Sequence, residues 1–138
     1  MGRWYIFDTM KNFIFFLTLI FSSNVFACSC TKFNVAEYIE SSNKVYIGKV
    51  INKQKLRDEE KMSAALTVSE KFVGHPSDIE EVITDNSSCS AEFSINVTYL
   101  VFENKRGHVN MCSMIKLKYV PNLTLNLETL RHISKSGI

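Results

Sequence analysis

Phe93-Ser94-Ile95-Asn96-Val97-Thr98-Tyr99-Leu100-Val101-Phe102 places an apolar side chain at every odd position. Successive side chains of a strand point to opposite faces, so this alternation predicts a half-buried β-strand. Phe93 and Tyr99 then belong to the core and not to an aromatic platform for bases or sugars. Upstream, Asp85-Asn86-Ser87-Ser88 is a turn cluster directly before Cys89. Downstream, Lys105-Arg106-Gly107 turns the chain into a last strand, His108 to Cys112. Beyond Pro121, Leu123, Leu127 and Leu130 recur at i, i+4 and i+7, which predicts a C-terminal helix with one apolar stripe.

Toward the N-terminus, Leu66, Val68 and Phe72 share one phase while Thr67, Ser69 and Lys71 take the other, a second alternating strand that ends at Gly74-His75-Pro76-Ser77. Ile79 to Thr84 makes a further short strand. Asn43 to Leu56 reads as a strand with a bend or bulge at Gly48, followed by a solvated charged turn, Arg57 to Lys61. Asn34-Val35-Ala36-Glu37 resembles a capping box that opens a short helix to about Ser41. Five short strands with a helix at each end suit a small barrel better than a sandwich, which usually carries seven strands or more. The fold class expected is mainly β, a five-stranded OB-like β-barrel.

Phe13 to Phe21 is apolar except for Thr18, with Lys11 before it and Ser22-Ser23-Asn24 after it. That is the three-part layout of a signal peptide, too short to span a bilayer, which takes about 20 apolar residues. Val25 and Ala27 supply the small residues at −3 and −1, so cleavage is expected before Cys28. Trp4, Tyr5 and Asp8 are unusual for a signal peptide's leading region, and Met10-Lys11-Asn12 is the better start of translation. The expected organisation is a signal peptide over 1–27 and one domain over 28–138, secreted or periplasmic. The mature part carries 14 basic and 13 acidic side chains, a balance that gives no argument for nucleic acid or an anionic membrane as partner.

Cys28, Cys30, Cys89 and Cys112 all lie in the mature part, and an even count in a small exported domain reads as two disulfides. Residues separated by one position cannot easily bond each other, since disulfide Cα atoms lie about 4.4–6.8 Å apart with a demanding torsion. Cys28 and Cys30 should therefore each reach Cys89 or Cys112. Spacing alone leaves both pairings open.

The signal peptide, the mature terminus Cys28-Ser29-Cys30, the helix with Ala36, the strand Lys44 to Val50, the run Val68 to Gly74, Cys89, Phe93 to Phe102 and the closing Cys112-Ser113 together resemble the inhibitory domain of the tissue inhibitors of metalloproteinases (TIMP-like), within the netrin-like (NTR) group of OB folds. The resemblance covers most of the mature chain. It implies the pairing Cys28 to Cys89 and Cys30 to Cys112. It also implies that the α-amine and carbonyl oxygen of Cys28 chelate the catalytic zinc of a target metallopeptidase, with Ser29 entering the specificity pocket and Thr31 continuing along the cleft. The match departs from the animal inhibitors in the third disulfide of their first domain, which is not expected here, and neither is their second cysteine-rich domain.

Other readings compete. The disulfides of a non-inhibitory envelope or extracellular binding module would be purely structural. Val25-Phe26-Ala27-Cys28 has the ends of a lipoprotein signal around a bulky Phe26, and acylation of Cys28 would anchor the chain to a membrane and abolish chelation. A redox centre favours Cys-x-x-Cys and a zinc site favours ligands at short spacing; neither occurs. His75, His108 and His132 are scattered, and read as turn or surface residues. Asn86, Asn96 and Asn122 head glycosylation acceptor patterns, relevant in a eukaryotic secretory route. No nucleophile elbow or HExxH run argues for an enzyme. The expectation is a monomer with no cofactor and no metal of its own, whose partner is a zinc metallopeptidase.

Overall fold

The structure, a computed structural model, describes residues 10–17, 28–57 and 60–137. Residues 10–17 are helical and exposed. The rest of the expected signal peptide, including the cleavage site after Ala27, lies outside the described residues. No helix among them is long and apolar enough to cross a membrane.

From Val35 the order is α1 (Val35–Glu40), β1 (Lys44–Lys55), β2 (Met62–Val73), β3 (Ile79–Thr84), β4 (Thr98–Glu103), β5 (Met114–Lys116), a 3-10 turn (Leu117–Tyr119) and α2 (Leu123–Lys135). The strands form one antiparallel sheet in the order β3-β2-β1-β4-β5. From Val35 onward the described residues are thus mainly β, five strands with two flanking helices.

Alternation along the central strands sorts the core onto two faces. Tyr46 and Val50 of β1, Leu66 of β2, Val82 of β3, Tyr99 and Val101 of β4 and Met114 of β5 gather in one buried cluster. Val82 and Met114 come from the two opposite edges, so the sheet curls around this face. The other face carries Val45, Ile47, Phe72, Leu100 and Phe102, covered by Val35 of α1 and Leu130 of α2. Leu130 is fully buried, and Leu123 and Leu127 pack partly buried beside it, which is the stripe that the leucine spacing predicts. Asn34 caps α1 by accepting from the Ala36 amide at 3.1 Å.

Gly48 marks the irregularity expected of it: the β1–β2 register shifts between Ile47 and Gly48. A Cβ at this position would lie 3.1 Å from both Cβ and Cδ2 of Leu66 and 3.2 Å from Cε2 of Tyr46, so glycine admits the close approach of β2.

Three expectations need correction. The strand read over Phe93–Phe102 begins only at Thr98. Residues 95 and 96 form a turn with Asn96 left-handed at φ 64°, held because the Asn96 amide donates to Val50 O and Val97 N–H to Ser94 O. The Tyr99 hydroxyl fixes the lead-in, donating to Glu92 O and accepting from Ser94 N–H. Phe93 and Tyr99 are nonetheless core residues. The last strand is Met114–Lys116 and not His108–Cys112. There the Asn110 side chain draws the chain into a turn, its Oδ1 accepting from the amides of Cys112 and Ser113 in competition with a ladder. Finally, the sheet is not closed into a barrel by strand pairing: its edges β3 and β5 do not pair. What joins the β3 edge to the lead-in of β5 is two isolated bridges, Ile83 with His108 in parallel and Ser90 with Asn110 antiparallel.

Candidate functional site at the N-terminal disulfides

The two bridges run along a seam between the β3 side of the molecule and the segment leading into β5. Ile83 N–H donates to Gly107 O at 3.0 Å, Val109 N–H to Ile83 O at 2.9 Å, and Met111 N–H to Cys89 O at 2.9 Å. Cys89 reaches the seam because the turn before it is stitched locally: its amide donates to Ser87 Oγ, and the Ala91 amide donates to the buried Thr84 Oγ1 at 2.8 Å. The Asn110 turn presents Cys112 from the other side.

Cys28 bonds Cys89, with Cα atoms 5.2 Å apart, and Cys30 bonds Cys112, at 5.4 Å. This is the pairing that the family resemblance implies. The short run Cys28-Ser29-Cys30 therefore lies across the seam. Cys28, Cys89 and Cys112 are half-buried, while Ser29, Cys30 and Thr31 are exposed. Among the described residues, no hydrogen bond ties Cys28, Ser29, Cys30 or Thr31 to the body; the two disulfides do. Thr31 to Glu37 then line one wall of a groove of about 880 Å³, whose other wall is Pro121, Asn122, Asn126 and Thr129 at the start of α2. Phe33 closes the segment by packing its ring against Tyr38 and Phe102, at centroid distances of 5.2 and 6.0 Å.

A second polar centre escaped the sequence reading. Lys44 Nζ donates to both carboxylate oxygens of Glu80 at 3.0 Å and lies 3.7 Å from Glu103 Oε1. The Tyr46 hydroxyl donates to Glu103 Oε2 at 2.9 Å, and the Ser77 amide donates to Glu80 Oε1 at 2.6 Å. The side chains of Glu80 and Glu103 are only 7% and 4% exposed. Burial raises the Glu103 carboxyl above its ordinary range, outweighing the Tyr46 hydrogen bond and the Lys44 charge that favour ionisation. Burial opposes the charge on Lys44, but its hydrogen bond to Glu80 and the charges of Glu103 and Glu80 prevail and raise its pKa. Burial, then the Glu103 charge, drives the Tyr46 hydroxyl far up, so it stays a donor. The signal was present in the pattern: Glu80 shares the phase of Val82, Glu103 that of Tyr99 and Val101, and Lys44 that of Tyr46.

His75 and His132 are exposed and His108 half-buried, at separate places. Among the described residues no three of His, Cys, Asp and Glu are grouped to hold a metal. Asn86, Asn96 and Asn122 are all exposed. No protein-family model and no curated protein matches the chain. The two disulfides bespeak an oxidising, extracellular type of environment.

Proposed function

We propose that the chain is exported, is cleaved before Cys28, and then acts as a TIMP-like inhibitor of a zinc metalloendopeptidase. The observation that carries the reading is the Cys28-Ser29-Cys30 run, half-buried at Cys28 and exposed at Ser29 and Cys30, fastened at both cysteines to Cys89 and Cys112. After cleavage its α-amine and carbonyl form a five-membered N,O chelate. A catalytic zinc keeps a coordination position open to water, which such a chelate displaces. Disulfides on both sides of Ser29 pre-organise the terminus, so little conformational entropy is lost on binding. Ser29, small and uncharged, enters the target's pocket, and Thr31 continues along the cleft beside the groove that it lines.

The finer fold reading, an OB-like NTR barrel, draws support from the bridge of Ile83 with His108, which brings the two sheet edges toward closure. The protein acts by binding, as a monomer, without a cofactor, a membrane anchor or nucleic acid. In the competing reading it is a non-inhibitory binding module, favoured by the way the same disulfides fasten the seam whether or not anything binds. One added alanine before Cys28 separates the two. Against a panel of zinc endopeptidases the extended protein should lose about 100-fold or more in affinity, roughly 3 kcal/mol. Equal inhibition by the extended and native proteins would contradict zinc chelation.

A further inference from the structure

We infer that Cys28-Ser29-Cys30 is a covalent strap that holds the seam of the open sheet shut, and that a dithiol reductant releases it without unfolding the sheet. This inference does not depend on inhibition of any peptidase. Cys89 follows β3 and Cys112 precedes β5, so the two half-cystines of the body stand on opposite sides of the seam's last backbone bond, Met111 N–H to Cys89 O. Linking each to one end of a three-residue run joins the two sides through Ser29. Neither disulfide alone crosses the seam; the crossing exists only when both are formed.

The seam needs such a strap because its own bonding is thin. Three backbone hydrogen bonds, the ones that make the bridges Ile83–His108 and Ser90–Asn110, connect Ile83 and Cys89 to Gly107, Val109 and Met111. The body of the sheet is held differently, since β1 pairs with β2 from Val45 to Lys55 and with β4 from Lys44 to Lys49, while the buried cluster that the sheet curls around is shared by both, Ala91 and Val109 of the seam packing into it. What the seam lacks is backbone pairing, and a segment held by so few backbone hydrogen bonds opens locally at lower free energy than a fully paired strand. Loss of the strap should therefore open the seam alone.

None of the four cysteines is buried: Cys30 is exposed and Cys28, Cys89 and Cys112 are half-buried. A thiolate of the reductant attacks one sulfur, forming a mixed disulfide and expelling one cysteine thiolate, which takes up a proton. The reductant's second thiol then displaces the other cysteine, leaving the reductant as a disulfide and the chain with two thiols, two electrons per bond.

Amide hydrogen exchange of the disulfide-bonded and dithiol-reduced protein tests this. In the reduced form the amides of Ile83, Val109 and Met111 should exchange at least about tenfold faster, with those of β1 and β4 unchanged. An unchanged seam overturns the inference, and so does equal acceleration throughout the sheet. A protein carrying Cys28→Ser and Cys89→Ser, with the Cys30–Cys112 bond kept, should show the same acceleration at Val109 and Met111 as the fully reduced protein. Oxidised-like rates there would mean that each disulfide is only a local anchor, and would overturn the strap.

Discussion

At the scale of single residues, Glu80 and Glu103 share one lysine and play opposite parts. Glu80 takes both short bonds from Lys44 and one from the Ser77 amide, so Glu80→Gln strips a buried partner from the ammonium. Urea unfolding at pH 7 should show a loss of about 1–3 kcal/mol. Glu103 is the costly member, since burial raises its pKa. A carboxyl with a raised folded pKa is more readily protonated in the folded chain than in the unfolded one. Its penalty is thus absent below the unfolded value and appears as pH rises through that value toward the folded one. Glu103→Gln keeps an acceptor for Tyr46 without the charge. Its melting temperature should exceed that of the native protein at pH 7, and the gap should close below about pH 4. A gap that persists in acid would mean that packing, and not ionisation, sets the difference.

Elements carry the larger packing terms. Leu130 is the fully buried member of the α2 stripe, packed with Val120 and the β1 and β4 side chains of the second cluster. Leu130→Ala should lower stability by about 2–5 kcal/mol in chemical denaturation. Arg131 on the same helix pairs with Glu70 through two bonds of 2.6 and 3.1 Å, but on an exposed face. Its removal should cost less than about 1 kcal/mol. In β1, Gly48→Ala drives a methyl to 3.1 Å from Leu66 where the register already shifts, and should destabilise by about 1–3 kcal/mol.

These elements also explain what the sequence made legible. Strands β1 to β3 and helix α2 could be placed because burial orders their side chains, by twos or by three-and-four. The single phase read for Leu66, Val68 and Phe72 fails, however, since two register shifts against β1 carry Phe72 to the face opposite Leu66. The stretch 93–96 misled because its alternation continues that of β4, while the Tyr99 hydroxyl and the Val50 backbone impose a turn. Asn110 hid the true last strand through a side chain that accepts from the backbone amides two and three residues on. Lys44, Glu80 and Glu103 drew no reading as a group, because a charge on an apolar phase shows its partner only in three dimensions. The cysteines gave the opposite lesson, for their pairing needed a resemblance that went beyond spacing.

The whole molecule is an open, curled sheet with two helices on one face and a disulfide-fixed terminus over its seam. If that terminus works through a free amine on zinc, inhibition is controlled by an α-amino group with an ordinary pKa of about 7.7–8.0. Only the neutral amine has a lone pair for the metal. Affinity should fall close to tenfold for each unit of pH below about 7, with the target's own titration subtracted. A flat profile from pH 8 to pH 6 would speak against amine ligation. The proposal depends above all on Cys28 being a free amino terminus bonded to Cys89. Mass analysis of the N-terminal peptide of the exported protein, digested without reduction, measures that directly. The account predicts a peptide that begins at Cys28, carries no acyl or diacylglyceryl group, and is linked to the peptides of Cys89 and Cys112; a terminus at any other residue, or a lipid on Cys28, would contradict it.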